Sequence, residues 1–235
     1  MSNRLVKYGR TLMTAVWPHE CFVCAARTRH GVLCAACDGD LPQVGAACPV
    51  CANPSPGGQR CGSCLKRVPQ FDASRALFEY RHPVREMVLA LKHGQGFALA
   101  NWFCEKALPL DDLQPDLVVA MPLHPRRLAE RGFNPIMLVA RELSRRKGWR
   151  LDMQGVVRDS DTPHQAGQGL KQRLRNVRGA FRCTTRLDGM HVLLMDDVMT
   201  SGATLNELAR TVKIAGAAKV TNLVLARAVM SMHGR

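Results

Sequence analysis

The chain has 235 residues, enough for one medium domain and a small companion. Its apolar runs fall well short of the roughly 18 residues that a membrane-spanning helix needs, so no membrane span is expected. The formal net charge of +14 is concentrated, since residues 123–186 hold fifteen Arg or Lys against five Asp or Glu; this suits a polyanionic ligand such as pyrophosphate, a nucleotide or nucleic acid, a solvated basic face being the plainer alternative.

The opening stretch MSNRLVKYGRTLMTAVW is basic and mildly amphipathic. It lacks the uninterrupted apolar core and small-residue cleavage site of a signal peptide. It is read as a short helical segment within residues 1–20, and a cytoplasmic location is expected.

Residues 21–70 form a cysteine-rich segment. Four Cys-x-x-Cys pairs occur: Cys21/Cys24, Cys34/Cys37, Cys48/Cys51 and Cys61/Cys64, separated by nine, ten and nine residues. That regularity predicts a duplicated knuckle. Two thiolates separated by two residues share a tetrahedral ion, and two pairs complete a Cys₄ site, so two structural zinc ions are expected. Large apolar residues are few here, and metal should supply much of the folding energy. A disulfide scaffold needs an oxidising compartment, and a redox Cys-x-x-Cys usually stands alone beside a βαβ unit. First-with-second and third-with-fourth pairing fits a double ribbon, but the spacing also admits interleaving. Eight thiols leave no vacancy for His19 or His30, nor the open position that a catalytic zinc requires. Cys104 and Cys183 lie outside the pattern.

Residues 65–72 mark a boundary, and 71–235 read as one α/β domain. Ala76–Tyr80 is a candidate strand. Pro83 then starts a helix striped by Val84, Met87, Val88 and Leu91, with Gly94 closing it and Lys92 and His93 at its C-terminal end. A second strand, Leu117–Met121, runs into Pro122-Leu123-His124-Pro125-Arg126-Arg127. Asn134 and Pro135 read as N-cap and first residue of a helix striped by Ile136, Val139, Ala140 and Leu143, closed by Gly148. Val156 and Val157 suggest a further short strand. Residues 158–180 are polar, Gly-containing and strongly basic, long for a loop inside a compact domain, and suit a lid or binding segment.

His191–Met195 reads as a buried strand that stops at Asp196 and Asp197. A turn from Val198 to Ala203 is expected next, then a helix striped by Leu205, Leu208, Ala209 and Val212, ended near Gly216, then a strand from Val220 to Ala226. The crossover should be right-handed. Carboxylates at the carboxyl end of a parallel strand lie where open α/β sheets bind ligands. Thr200, Ser201, Gly202, Ala203 and Thr204 lead into a helix N-terminus suited to a phosphate. Acids for a diol beside a phosphate cradle match a sugar phosphate. No Gly-Lys-Ser/Thr follows, which excludes the common nucleoside-triphosphate loop.

LLMDDVMTSGAT, from Leu193 to Thr204, resembles the phosphoribosyl-pyrophosphate (PRPP) loop of type I phosphoribosyltransferases. With Leu91-Lys92-His93-x-Gly, PLHPRRLAERGFN from Pro122 to Asn134, HQAGQGLKQRLRNVRGAF from His164 to Phe181, and the paired cysteines, nearly the whole chain resembles the ComF family. Gln168 departs from the leucine expected there, which bears on the lid. The resemblance implies a parallel sheet flanked by helices behind a zinc ribbon, and PRPP bound with Mg²⁺. Asp196 and Asp197 would be the catalytic acids on the ribose hydroxyls. Val198, Met199 and Thr200–Thr204 would complete the PRPP loop. Lys92, Arg126 and Arg127 would meet pyrophosphate, with Arg131 a weaker candidate. Gln165, Lys171, Arg173, Arg175 and Asn176 would belong to a closing lid. The family's link to competence and external DNA implies a role with incoming single-stranded DNA. Two classes of function follow: a phosphoribosyltransferase releasing pyrophosphate, or a nucleotide- and single-stranded-DNA-binding module that partners a DNA-uptake helicase. With aromatics at only 5%, the second would rest on backbone phosphates more than on base stacking.

Overall fold

A computed structural model describes residues 19–28, 31–93, 96–159 and 177–229. The expected N-terminal helical segment lies almost wholly outside them. The chain divides into two compact units, Met1–Leu41 and Pro42–Arg235. The division falls between the second and third cysteine pairs, inside the 21–70 segment that the sequence suggests as one ribbon domain.

In the first unit, β1 (His19–Glu20) pairs antiparallel with β2 (Arg27–Thr28), and a short helix, α1 (Ala35–Gly39), follows Cys34. The second unit repeats the last part of this design. Its α2 (Gly62–Lys66) is capped by Cys61 as α1 is by Cys34. Each knuckle turns on an alanine of positive φ just after a cysteine pair, Ala25 at 57° and Ala52 at 53°. In both, that alanine's N–H closes back on the carbonyl of the pair's first cysteine, Cys21 or Cys48. The duplication legible in the spacing is therefore a duplication of backbone geometry.

The remainder of the second unit is a five-stranded sheet with all strands parallel. Its order is β3 (Ala73–Glu79), β9 (Lys219–Arg227), β8 (His191–Met199), β4 (Leu117–Ala120) and β5 (Leu151–Asp152). The central strands β8 and β9 are continuous apolar runs because both faces are covered; Val192–Met195 and Leu223–Ala226 are wholly buried. Flanking helices are α3 (Val84–Lys92), α4 (Gly96–Ala107), α5 (Pro125–Arg131), α6 (Pro135–Lys147) and α7 (Ala203–Ile214). Leu205, Leu208, Ala209 and Val212 of α7 are buried as their spacing predicts. Truncating Leu208 to Ala should cost about 2–5 kcal/mol.

β3 starts at Ala73 and not at the expected Ala76, the strands Leu151–Asp152 and Phe181–Cys183 have no counterpart in the reading of the sequence, and three further features differ from it. First, β8 does not stop at Asp196. It runs on to Met199, because β9 continues alongside it and pairs Asp196 with Val224, Val198 with Ala226 and Met199 with Arg227. The turn is accordingly Thr200–Gly202 and not Val198–Ala203, and α7 begins at Ala203. Second, the loop after β4 contains the short, seven-residue helix α5, capped by His124, whose Nδ1 accepts the Arg126 N–H at 3.3 Å. Third, α4 has no counterpart in the predicted elements. Its Leu99, Ala100, Phe103, Cys104 and Ala107 are buried, and Trp102 stacks on Phe78 of β3 at 5.5 Å.

Candidate PRPP loop and metal centres

The eight paired cysteines form two clusters, Cys21/Cys24/Cys34/Cys37 and Cys48/Cys51/Cys61/Cys64, with the sulfurs of each within 4.8 Å of one another. Pairing is thus first with second and third with fourth. Sγ···Sγ distances are 3.8 Å for Cys24–Cys34 and 3.6 Å for Cys51–Cys61. Four sulfurs bound tetrahedrally at 2.3 Å from zinc lie about 3.8 Å apart, so both donor sets fit that ion. The backbone favours thiolate at the first cysteine of each site. Burial works to raise the Cys21 thiol, but the N–H groups of Cys34, Cys24 and Val23 bring it down to about 6. At Cys48 burial is likewise outweighed, by the N–H groups of Cys61, Cys51 and Val50, and the thiol falls to about 7.

Asp196 and Asp197 sit near the carboxyl end of β8, the most central position in the sheet, and both remain partly accessible. Asp196 Oδ1 accepts the Asp197 N–H at 2.8 Å. Burial, then the charge of Asp197, pushes the Asp196 carboxyl up to about 7, with the Asp197 amide, Lys92 and Arg158 opposing. Asp197 meets Lys92 from the last turn of α3, Nζ to Oδ2 at 2.8 Å.

Three residues later the chain turns. Gly202 takes φ 75° as the N-cap of α7, a conformation that costs glycine little. Met199 and Phe71 lie close against it. The N–H groups at the start of α7 have no carbonyl one turn earlier to bond, and the Ala203 N–H makes a long 3.4 Å contact to Ser201 Oγ. Thr200, Ser201 and Thr204 add hydroxyls that are exposed or partly exposed. From beneath, Arg227 of β9 supports the turn. Its Nη1 donates to the carbonyls of Met199 and Thr200, at 2.8 and 2.5 Å.

An open groove of about 510 Å³ is lined by Lys92, His93, Arg127, Glu130, Arg131 and Phe133. Because Lys92 also holds Asp197, the groove adjoins the acid pair. Lys92, Arg127 and Arg131 are therefore brought together, whereas Arg126 pairs with Glu130 along α5, Nε to Oε1 at 3.0 Å, and both are largely exposed. Asn134 occupies the N-cap of α6 but spends its side chain otherwise, donating from Nδ2 to the Met121 carbonyl at 3.0 Å. That bond ties the start of α6 to the residue after β4.

A two-stranded hairpin, β6 (Val156–Arg158) with β7 (Phe181–Cys183), frames the segment 159–180. Gln165, Lys171, Arg173, Arg175 and Asn176 lie outside the described residues. The hairpin itself is anchored, since Glu207 of α7 accepts the Gly179 N–H at 2.8 Å while Arg210 forks onto the same carboxylate at 2.7 Å. Arg158 belongs to the site and was not a candidate from sequence. It is buried, its guanidinium lies 5.5 Å from the Phe181 ring centroid, and its charge acts on Asp196. The available signal was period two: a basic residue two positions after a buried valine shares that valine's inward face.

Comparison with known proteins agrees with this geometry. The double zinc ribbon family matches residues 12–65, and the phosphoribosyl transferase domain family matches residues 128–231. The DNA utilization protein YhgH of Salmonella typhimurium is 31% identical over 221 residues, covering 89% of this chain and 97% of its own. Competence protein F of Haemophilus influenzae is 29% identical over 185 residues, covering 72% and 79%. Competence protein ComFC of Bacillus subtilis is 26% identical over 207 residues, covering 83% and 84%. Two Cys₄ zinc-binding sites, a phosphoribosyltransferase-type sheet and relatives aligned along 79–97% of their own length place the chain in the ComF family.

Proposed function

We propose that the chain binds PRPP and transfers its phosphoribosyl group to an acceptor, releasing pyrophosphate, in a cell's use of external DNA. The observation that carries this reading is the spacing of two sites on one strand end. Partly accessible Asp196 and Asp197 stand at the end of β8, and the N-terminus of α7 opens a few residues on. The acids take the ribose diol and the turn from Thr200 to Thr204 takes the 5-phosphate. Mg²⁺ accompanying the pyrophosphate neutralises part of its charge.

In the transfer, the bond from ribose C1 to the pyrophosphate oxygen breaks, and its electron pair leaves with pyrophosphate. The acceptor's lone pair forms the new bond to C1 and the acceptor loses a proton to solvent. Positive charge grows on the ribose as the bond loosens, and ionised Asp196 and Asp197 stabilise it electrostatically. Lys92, Arg127 and Arg131 gather negative charge on the leaving group from the adjoining groove.

Calorimetric titration with PRPP and Mg²⁺ tests the reading. Wild type should bind, and Asp196→Asn with Asp197→Asn should lose at least about 100-fold in affinity, near 2.7 kcal/mol. Equal binding by the double variant, or none by wild type, would sink it.

A second reading rests on the groove's composition. Three cations and one aromatic, Phe133, suit the backbone of single-stranded DNA with a single stacked base. It serves a binding module that hands strands to a helicase partner. Affinity for an oligonucleotide should then fall steeply with salt, and salt-insensitive binding would remove it.

A further inference from the structure

Arg227 is an unusual residue to find where it is. It ends β9, the strand beside β8, and is only 5% exposed. Four of its contacts go to backbone carbonyls. Nη1 reaches Met199, Thr200 and Ala228 at 2.8, 2.5 and 2.6 Å, and Nε reaches Cys51 at 3.0 Å. Met199 and Thr200 lead into the phosphate turn. Cys51 is a member of the second cysteine cluster. One guanidinium thus joins the metal knuckle to the turn.

Carbonyl dipoles take up its Nη1 and Nε N–H groups but do not cancel a buried charge, which is costly to leave uncompensated. The anions that act on Arg227 are the sulfurs of Cys51, Cys61 and Cys64. Four thiolates around one divalent zinc carry a net formal charge of about −2. The filled cluster therefore supplies both a fixed carbonyl and the counter-charge.

We infer that Arg227 is a positioning residue through which the second zinc site holds the phosphate turn in shape, so that loss of that zinc loosens the turn. The consequence for PRPP rests on the function proposed above, but the coupling of zinc to the turn does not. The residue touches neither sugar nor phosphate. Its part is to set the direction of the N–H groups after Thr200, which a lysine cannot reproduce because one ammonium lacks the two-sided fork.

The test uses the full chain with both zinc sites filled. Hydrogen exchange is followed at Asn206 and Ala228, whose N–H groups bond the Gly202 and Met199 carbonyls of the turn at 2.8 and 3.0 Å, with α4 and α6 as internal references. Arg227→Lys should exchange at least about tenfold faster at the turn and unchanged at the two helices. In wild type, a competing chelator should speed exchange at the turn in step with alkylation of Cys51 and Cys61 by a maleimide. The inference is overturned if Arg227→Lys leaves the turn as protected as in wild type, or if the two helices loosen equally. It is overturned also if Cys51 and Cys61 become alkylated while the turn stays closed, a readout that needs no variant to fold. Calorimetry on the same samples separates the two ideas: a wild type that binds no PRPP defeats the proposed function, while exchange at the turn still decides the coupling.

Discussion

Lys92 Nζ lies 2.8 Å from Asp197 Oδ2, with the two side chains 22% and 21% exposed. The acid of β8 proposed for a ribose hydroxyl is therefore held by a cation from the C-terminal end of helix α3. Lys92 also lines the groove where pyrophosphate would sit. A ligand that brings both a diol and a pyrophosphate can separate the pair without leaving either charge alone. Lys92→Met should weaken PRPP binding about tenfold, near 1.4 kcal/mol, while ribose 5-phosphate changes less than about twofold. Fold stability should change by no more than about 1 kcal/mol, since the pair is partly exposed. Titration of both ligands at fixed Mg²⁺ checks this. Equal losses for the two would mean that Lys92 serves only to orient Asp197.

Asp196 predicts a pH dependence of definite sign. Folded, its carboxyl holds a proton up to about 7 because of burial and the neighbouring Asp197. Unfolded, an aspartate releases it near pH 3.9. Between those values the folded chain binds more protons than the unfolded one, so this residue's contribution to stability falls as pH rises from about 4 to 7 and is level above. Asp196→Asn removes the effect. Denaturant unfolding at several pH values should show wild type losing about 1–3 kcal/mol relative to the variant across that window, after allowing for partial access to water. Comparison with the variant cancels carboxylates of the opposite kind, such as Glu142, which Arg145 and Arg146 hold at about 2. If the diol is bound by ionised Asp196, PRPP binding should release a proton near pH 6.5. Parallel unfolding curves for the two proteins would refute the placement of that proton.

Much of this was legible in the residues, for reasons that differ by element. The four cysteine pairs and their two metal sites were, because metal spacing is a local rule, but which pairs share an ion was left open by the spacing and is decided by the fold. So was the core of β8, α7 and β9, whose apolar periods are long and agree with their turn residues. The end of β8 was not. Asp196 and Asp197 look like a stop signal to any local reading, but strand pairing is decided by β9, whose backbone continues to Arg227. Helix α4 was passed over because its apolar residues are spread around more than one face, a pattern that reads poorly as amphipathic. Arg227 could not be found from sequence at all. Its role depends on carbonyls of Cys51 and Met199 that only the fold brings to one guanidinium.

Metal removal should act on the second unit beyond its knuckle. The strand β3 begins against that knuckle: Ser74 donates its N–H to the Pro49 carbonyl at 3.0 Å, and Glu79 donates to Pro42 at 2.9 Å. Apo protein prepared with a strong chelator should lose at least about 5 °C in Tm for the sheet, and zinc should restore it. Near-ultraviolet dichroism from Trp102, which stacks on Phe78 of β3, reports the sheet directly. An unchanged Tm on full removal of zinc, verified by metal analysis, would show that the clusters and the sheet fold independently.

Gly202 tests the backbone's share in the phosphate site. Its φ of 75° is one that side-chain-bearing residues adopt only with strain. A Cβ built there falls 2.7 Å from the Met199 methyl, the movable end of a flexible side chain, so conformation and not collision sets most of the cost. Gly202→Ala should destabilise by about 1 kcal/mol or somewhat more, a Tm loss of about 2–4 °C for a chain of this size. Gly202→Val should cost more, because branching at Cβ crowds the backbone further. Relief of the strain will rotate the peptide units that open α7, and ribose 5-phosphate affinity should fall about five- to tenfold, or roughly 1 kcal/mol. Ser201→Ala, which removes a hydroxyl without moving the backbone, should lose less. If Gly202→Ala binds ribose 5-phosphate as wild type does, the amides of this turn are not what grips the phosphate, and the hydroxyls of Thr200, Ser201 and Thr204 must carry it instead.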